Sequence, residues 1–271
     1  MKEFLTRTVS GLIYVAIMIV SILLHPLIFM TVFLFILILG MIEFYRMCST
    51  PDSIPMMVPG LATGIILFLT IFLVRYTGAD SEILLLIPAS GLVLMSIPMF
   101  LQKDQPLISA ALTLLGIVYV SLPVTIFTLL MYHPYKEGFD YQVVLFLFLI
   151  LWLNDTGAYI SGRLLGKHKM FPRISPKKSW EGLAGGLLIA LLVTWVSHPL
   201  FPDIPFWHLW ILCPVIVISG TFGDLVESAW KRSAGVKDSG KLMPGHGGIL
   251  DRFDSAIFAA PASYIVINLL T

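Results

Sequence analysis

The sequence predicts an all-α, polytopic integral membrane protein with about nine transmembrane helices and a cytoplasmic N-terminus. Three observations support this prediction. First, 58% of the 271 residues are hydrophobic, only 12% are charged and the mean hydropathy is +0.92, values far outside the range of soluble domains. Second, nine apolar segments each approach the ~20 residues that a helix needs to cross a bilayer core. Third, the basic residues are distributed very unequally between alternate sides of these segments.

The nine apolar segments are separated by prolines, as expected where helices end. No small-residue cleavage site follows the first segment, so we predict a retained span there rather than a signal peptide. Cys48 and Cys213 lie inside apolar segments and are predicted to be small buried hydrophobes. The segments run approximately over 9–24, 27–48, 56–74, 83–101, 107–132, 141–162, 180–198, 206–230 and 251–270.

The orientation follows from the Lys and Arg residues, because these collect in cytoplasmic connections. With the N-terminus inside, all but Arg75 and Lys136 of the 17 basic residues lie on the cytoplasmic side. Most of them belong to two connections, 163–179 and 231–252. These two connections are therefore predicted to differ in chemistry from the rest, whereas the net charge of +1 conceals the asymmetry.

The stretch from Ser228 to Asp254 is unlike an ordinary connecting loop. Its glycines let the backbone turn N–H groups toward an anion, its cations add charge, and two closing aspartates one helical turn apart could hold a divalent cation. His246 is either a donor to phosphate or a loop histidine without a role. This mixture is typical of a phosphate and metal site. The residues concerned are Gly235, Gly240, Gly245, Gly247, Gly248, Lys231, Arg232, Lys237, Lys241, Arg252, Asp251 and Asp254.

Carboxylates within the predicted spans form a second feature, because ionisable side chains there usually face a cavity. Asp155 and Asp224 each lie eight residues before a basic residue, Arg163 and Arg232 respectively. At about 1.5 Å per residue, both lie roughly 12 Å in from the cytoplasmic side, at a shared depth. Asp254 enters the last span from the same side and could approach that level.

Alternatives stay open for these acids. The two closing aspartates could simply favour the first turn of a helix through its dipole. Asp155 and Asp224 could form an ion relay in a transporter, or structural pairs with nearby cations. Glu43, also within a span, is predicted to pair with Arg46 three residues later.

The connection 163–179 carries a third feature. Ser175 and Pro176 resemble an N-cap and a first helical position, which would place Lys177 and Lys178 in the first turn of a helix. Cations there oppose the helix dipole by about 0.3 to 1 kcal/mol each, a penalty that a bound anion would reverse. We therefore predict a phosphate-binding helix start. The alternative is a polybasic segment that meets anionic lipid headgroups.

The glycine-rich stretch, SAWKRSAGVKDSGKLMPGHGGILDRFD, closely resembles the signature of the phosphatidate cytidylyltransferase family, also called CDP-diacylglycerol synthases. Trp230 departs mildly, because the family more often carries an aliphatic residue or Phe there. The upstream runs WLNDTGAYISGRLLGKHK and ISPKKSWEG are also similar to the family, whereas the first five spans match only as hydrophobic segments. The matching residues are Ser228, Lys231, Arg232, Lys237, Asp238, His246, Gly247, Gly248, Asp251, Arg252 and Asp254, and upstream Asp155, Ala158, Tyr159, Gly162, Arg163, Gly166, Lys167, Ser175, Pro176, Lys178, Glu181 and Gly182.

The resemblance implies a nucleotidyltransferase of phospholipid biosynthesis in which CTP and phosphatidate give CDP-diacylglycerol and pyrophosphate. It implies Mg²⁺, alone or in a two-cation cluster, and a bacterial inner-membrane enzyme whose active site faces the cytoplasm. Residues 1–138 would be scaffold helices and residues 139–271 the catalytic region. A CTP-dependent lipid kinase of related architecture and a cation-coupled transporter are the alternatives. No nucleic-acid partner is expected, and a homodimer is left open.

Roles follow for the matching side chains. Asp224, Asp251 and Asp254 are predicted to hold Mg²⁺, while Asp155 helps to shape that site. The residues predicted to clamp or contact the triphosphate are Lys231, Arg232, Lys237, Lys241, Arg252, Ser228, His246, Gly247 and Gly248. The residues predicted to receive the phosphatidate headgroup or the leaving pyrophosphate are Lys167, Ser175, Lys177 and Lys178.

Overall fold

The computed structural model describes residues 2–50, 53–100, 105–240, 242 and 247–271, with the side chains of residues 2–7 and 99 excepted. Over these residues it contains ten α-helices and one two-stranded hairpin. The helices are α1 (Lys2–Leu23), α2 (Pro26–Cys48), α3 (Met57–Thr77), α4 (Leu86–Phe100), α5 (Pro106–Gly116), α6 (Leu122–Leu130), α7 (Gln142–Leu165), α8 (Trp180–Ser197), α9 (Phe206–Ser233) and α10 (Leu250–Leu270). The strands of the hairpin are β1 (Lys169–Phe171) and β2 (Ser175–Ser179).

The predicted all-α membrane architecture is confirmed. In the described part of the chain, eight helical stretches are long and apolar enough to cross a membrane, and Thr8–Leu23 is a shorter apolar helix. A 3₁₀ turn joins α4 to form one of these stretches, and a π-helical segment joins α5 to α6 to form another. Each of the nine predicted segments therefore coincides with one helical stretch, and the chain is an integral membrane protein.

Local sequence signals set several helix ends. Pro26 occupies the start of α2, where its missing N–H costs nothing. The ring nitrogen Nδ1 of His25 accepts a hydrogen bond from the N–H of Leu27 at 3.2 Å. At the other end of the next helix, Gly78 follows α3 in the left-handed conformation with φ 68°, which favours glycine.

The chain divides into two compact units. The first unit comprises Met1–Leu129 and Asp238–Arg252, and the second comprises Leu130–Lys237 and Phe253–Thr271. The first therefore contains most of the amino-terminal helices together with the segment that leads into α10. This division by compactness is distinct from the functional boundary at residue 138, which stays a prediction.

The first unit is organised around the buried ring of Tyr45 on α2. Its hydroxyl donates a hydrogen bond to the carbonyl oxygen of Thr113 at 2.8 Å, so the polar tip of a fully buried side chain has a partner. A Cβ at Gly60 on α3 or at Gly116 on α5 would lie within 3.0 Å of this side chain. These two glycines therefore provide the space that the ring fills.

In the second unit, small residues let α7 and α8 approach closely. A Cβ at Gly157 would lie within 3.0 Å of Ile189 Cδ1, and a Cβ at Gly186 within 3.0 Å of Asn154 Oδ1. Close backbone approach through small residues is a common packing mode of membrane helices. The hairpin connects these two helices, and its register pairs Lys169 with Ser179.

A polar junction closes one end of the second unit. Lys136 Nζ lies 3.0 Å from Asp203 Oδ2, and the Gln142 side chain donates to Asp203 and to Asp140. His133 and Asp140 form a buried pair at 3.1 Å. The hydrogen bond from Lys136 lowers the pKa of Asp203 below its usual range, and the hydrogen bond from Gln142 acts in the same direction.

Candidate functional site

The second unit contains a polar cavity of about 270 Å³. Its wall is formed by residues of α7, both strands of the hairpin, α8, α9 and α10. Two acids that the sequence placed at a common depth, Asp155 and Asp224, both line it. The polar lining includes Asn154, Asp155, Lys177, Lys178, Thr221 and Asp224.

Asp224 on α9 is engaged through both carboxylate oxygens. Lys178 Nζ lies 2.6 Å from Asp224 Oδ2. One turn further along α9, the hydroxyl of Ser228 donates to Asp224 Oδ1 at 3.1 Å. Ser228, predicted to contact substrate, therefore orients Asp224 in this structure.

The predicted helix start at Ser175 is wrong. Residues Ser175–Ser179 form β2, and α8 begins at Trp180. The N-cap is Ser179, whose hydroxyl accepts a hydrogen bond from the N–H of Gly182 at 3.1 Å. Antiparallel pairing with β1 holds Ser175–Ser179 extended, so no helical first turn can form until the pairing ends. Sequence reasoning found a plausible capping serine four residues too early.

The consequence is that Lys177 and Lys178 are strand residues. Side chains alternate direction along a strand, and accordingly Lys177 is exposed whereas Lys178 is half-buried and reaches Asp224. Both lysines line the cavity. The two lysines therefore lie at a polar pocket, as an anion-binding role requires, but no helix dipole acts on them because they belong to a strand.

Carboxylates from α9 and α10 come together beside this cavity. Asp224, Glu227 and Lys231 all lie close enough to Asp254 on α10 for their charges to interact with its carboxyl group. Lys231 Nζ also lies 2.6 Å from Glu227 Oε2, whose side chain is fully buried. A Cβ at Gly223 would lie within 3.0 Å of the carbonyl oxygen of Asp254, so this glycine allows the close approach of α10. Sequence reasoning had no role for Glu227, although it lies one turn from Asp224.

Asp251 belongs to the first unit, where it organises the segment before α10. Its carboxylate accepts hydrogen bonds from the N–H of Ser239 at 3.0 and 3.2 Å and from the N–H of Gly248 at 2.7 Å. Gly247 has φ 83°, and a Cβ there would lie within 3.0 Å of Asp251 Oδ2. A side chain at position 247 would therefore be strained and would also displace the carboxylate.

The predicted pair between Glu43 and Arg46 is wrong. No ion pair joins these two side chains in the part of the chain that the structure describes. Glu43 instead accepts hydrogen bonds from the N–H groups of Ile249 and Leu250 at 3.1 and 2.9 Å, and from the hydroxyl of Ser239 at 3.1 Å. Sequence spacing could not find these partners, because they lie 196 to 207 residues away.

The remaining predicted cations and donors are placed as follows. Lys231 is held by Glu227, whereas most of the other predicted phosphate contacts are exposed to solvent. Lys241 and His246 lie outside the described residues. The exposed residues are Lys167, Lys177, Arg232, Lys237 and Arg252, and Ser175 is half-buried.

Four polar residues of the cavity lining were missed in the sequence: Asn154, Ser179, Thr221 and Ser255. Asn154 is buried, and its Oδ1 atom has no hydrogen-bond partner among the described residues. Thr221 lies one turn before Asp224 on α9. Asn154 is a polar residue inside an otherwise apolar span and is adjacent to Asp155, which was already a candidate site residue. This position is the signal that could have identified Asn154.

The donor set suits Mg²⁺. Within the described residues no group of three or more His, Cys, Asp or Glu side chains is arranged as a metal site. Mg²⁺, however, usually takes one or two carboxylates from the protein and completes its coordination with water and substrate phosphates. Asp224 and Asp254 offer two hard oxygen ligands, and the Lys178 ammonium beside Asp224 demonstrates that this carboxylate accepts a cationic neighbour.

Comparison with known proteins gives a consistent picture. Residues 5–270 match the sequence model of the "Cytidylyltransferase family". A phosphatidate cytidylyltransferase of Staphylococcus saprophyticus is 45% identical over 181 residues, which cover 66% of this chain and 67% of that protein. Proteins of the same name from Staphylococcus epidermidis and Staphylococcus aureus are 41% and 40% identical over 214 and 215 residues, or 78% of this chain and 79% of each relative.

Proposed function

The chain belongs to the cytidylyltransferase family, and on this premise we propose that it transfers the cytidylyl group of CTP to phosphatidate. An oxygen of the phosphatidate phosphate attacks the α-phosphorus of CTP, and the bond from that phosphorus to the bridging β-phosphate oxygen breaks. CDP-diacylglycerol and pyrophosphate form. A phosphate monoester is already a competent nucleophile near neutral pH, so the main tasks of the protein are positioning and charge neutralisation.

The observation that carries this proposal is the cavity that combines two lysines with two acids in one compact unit. Lysine ammonium groups are point charges that bind phosphate oxygens, and Lys177 and Lys178 provide two of them. Asp224 restrains the ammonium of Lys178 at 2.6 Å, so the positive charge is oriented before a substrate arrives. We assign the phosphatidate headgroup or the leaving pyrophosphate to these lysines, with Lys167 and Ser175 nearby in the chain.

We assign Mg²⁺ to Asp224 and Asp254. When bound, the ion supplies neutralisation of charge on phosphate oxygens. The hydroxyl of Ser228 donates a hydrogen bond that orients one oxygen of Asp224. The close approach of α10 to α9 at Gly223 brings Asp254 near enough to Asp224 for the two carboxyl groups to interact. A role of Asp251 in metal binding stays a prediction.

The triphosphate contacts are assigned to cations of the glycine-rich stretch, two of which, Lys231 and Arg232, lie on α9. Lys231 is fixed by the buried Glu227, which reduces the entropy lost when it binds an anion. Arg232, Lys237 and Arg252 are exposed and therefore available to a soluble nucleotide. Arginine adds bidentate hydrogen bonds to phosphate oxygens.

The membrane location gives this arrangement a purpose. A lipid phosphate lies near the membrane interface, so CTP must reach that level through a polar opening. The asymmetry of basic residues supports an opening toward the cytoplasm, and the staphylococcal relatives support a bacterial inner membrane.

Identification of the products tests this function. Purified protein given CTP, Mg²⁺ and phosphatidate is expected to release pyrophosphate and CDP-diacylglycerol in equal amounts. The Asp224→Asn variant should lack this activity, whereas Asp203→Asn, which removes an acid of the same unit outside the cavity, should retain it. Release of CDP instead would identify a CTP-dependent lipid kinase, and absence of any turnover would contradict the proposal.

A further inference from the structure

Glu43 on α2 is a buried carboxylate for which the proposed mechanism has no use. Only 8% of its surface is exposed. Burial of an ionised carboxylate is costly unless hydrogen bonds compensate it. Among the described residues, the N–H groups of Ile249 and Leu250 and the hydroxyl of Ser239 donate to Glu43. These donors belong to the described residues Ser239–Gly240 and Gly248–Leu250, which we call the two ends of the glycine loop; the second end leads into α10.

Two glycines of this loop make room for the same carboxylate. A Cβ at Gly240 would lie within 3.0 Å of Glu43 Oε1, and its three nearest atoms would all belong to Glu43. A Cβ at Gly248 would lie within 3.0 Å of Glu43 Oε2. The sequence interpretation gave Gly248 to a substrate phosphate. In the structure, an anion of the chain itself occupies the space beside both glycines.

The start of α10 also depends on Glu43. The first N–H groups of a helix have no partner within it, and Glu43 accepts from the N–H of Leu250, the first residue of α10. Asp251, one residue later, accepts from Ser239 and Gly248. Ser239 thus donates to both carboxylates, through its hydroxyl to Glu43 and through its N–H to Asp251.

We propose that Glu43 is a positioning residue for nucleotide binding: an internal anion that holds both ends of the glycine loop and the first turn of α10 in their binding shape. The inference rests on the proposed function, since it concerns the loop assigned to CTP. Loss of Glu43 leaves N–H groups without an acceptor and frees Ser239 from one of its two partners. Asp251 and Arg252, in the first turn of α10, then lose their fixed geometry.

Kinetics separate this role from general stabilisation. Glu43→Gln keeps the size of the side chain but replaces one acceptor oxygen by an NH₂ donor, which would face backbone N–H groups. We expect kcat/KM for CTP to fall at least about tenfold, because charged hydrogen bonds are lost, while KM for phosphatidate stays within about twofold. Ser239→Ala removes one donor without touching Glu43 and should lower kcat/KM for CTP by about three- to tenfold. Glu82→Gln, an exposed acid of the same unit, is the control.

A double-mutant cycle tests the contact itself. Gly240→Ala should lower both kcat/KM for CTP and the unfolding temperature, because its Cβ collides with Glu43. In a Glu43→Ala background the collision is absent, so Gly240→Ala should add no further loss. Gly91→Ala, whose Cβ would meet no atom within 4 Å, controls for the glycine substitution.

The outcomes are distinct. Unchanged CTP kinetics in both Glu43→Gln and Ser239→Ala, or additive losses in the Gly240 and Glu43 cycle, would overturn the inference while leaving the enzyme assignment intact. A wild-type protein without cytidylyl transfer would instead overturn the proposed function, and the cycle in unfolding temperature would still decide whether Glu43 holds the two ends of the loop.

Discussion

Lys178 Nζ and Asp224 Oδ2 lie 2.6 Å apart, so this ion pair joins the hairpin between α7 and α8 to α9. The side chains are 24% and 31% exposed respectively. Solvent screens a pair of this kind, and its contribution to folding stability should be small. Its position in the cavity wall matters more, because it brings together the lysine that we propose to bind phosphate and the carboxylate that we propose to bind metal.

Removal of the Asp224 charge should therefore affect catalysis more than folding. Asp224→Asn keeps the shape of the side chain but loses the charge that would hold both Lys178 and the divalent cation. We expect kcat with saturating CTP and phosphatidate to fall by at least about 100-fold, in the range seen when one electrostatic stabiliser is removed. The unfolding temperature in detergent should change little. Asp203→Asn serves as the matched control, and full activity of Asp224→Asn would contradict the metal assignment.

The close approach of α10 to α9 should be sensitive to one methyl group. Gly223→Ala places a Cβ against the carbonyl oxygen of Asp254, and backbone atoms cannot move aside as a flexible side chain can. Asp254 is then displaced from Asp224, so more Mg²⁺ should be needed for half-maximal activity. Titration of activity against Mg²⁺ measures the effect, with Gly91→Ala as the control. An unchanged Mg²⁺ requirement would exclude the predicted coupling between the two helices.

The capping serine of α8 gives a stability test. Ser179 is buried and its hydroxyl accepts the N–H of Gly182, so Ser179→Ala should lower the free energy of unfolding by about 1 kcal/mol, within a range of about 0.5–2 kcal/mol. Ser175→Ala should have a much smaller effect, because Ser175 lies at the start of β2. Denaturation in detergent compares the two variants directly. A larger loss from Ser175→Ala would favour the helix start that the sequence suggested.

The junction around Asp203 predicts a defined pH dependence. Its pKa is lowered in the folded protein by the hydrogen bond from Lys136 and then by that from Gln142, so its contribution to stability is present above the unfolded pKa of about 3.9. That contribution is lost as the pH falls through the lower folded pKa. The difference in unfolding temperature between wild type and Asp203→Asn should be constant above about pH 5 and shrink below about pH 4. A difference that grows on acidification would contradict this sign.

Much of the fold could be predicted from the sequence because a membrane-spanning segment must match the bilayer thickness and must hydrogen-bond all of its backbone groups internally. Few structures other than a helix of about 20 apolar residues meet both conditions. Apolar length alone located nine helical stretches, including 107–132, which the structure divides into α5, a π-helical segment and α6. The hairpin was missed because β1 and β2 are short and rich in charge. A Ser-Pro pair is compatible with either a helix start or a strand, and only the pairing of Lys169 with Ser179 decides.

Local signals predicted the chemistry of the site better than its partners. The acids Asp155 and Asp224 were found because charge within an apolar span is costly. The partner of Asp224 was not found, since Lys178 lies 46 positions earlier in the chain and meets it only through the hairpin. Glu43 was misread for the same reason: a cation three residues away suggested a local pair, whereas burial selected backbone donors from a distant loop.

Binding of a divalent cation by Asp224 and Asp254 is tested most directly by Mn²⁺ affinity, followed by electron paramagnetic resonance with a non-reactive CTP analogue and corrected for Mn²⁺ bound to the analogue alone. We expect wild type and Asp203→Asn to bind Mn²⁺, and Mg²⁺ to displace it. Asp224→Asn and Asp254→Asn should each weaken the Mn²⁺ affinity at least about tenfold, since loss of even a residue that only orients a metal ligand costs about 10- to 100-fold. Equal Mn²⁺ affinity in all four proteins would contradict the account.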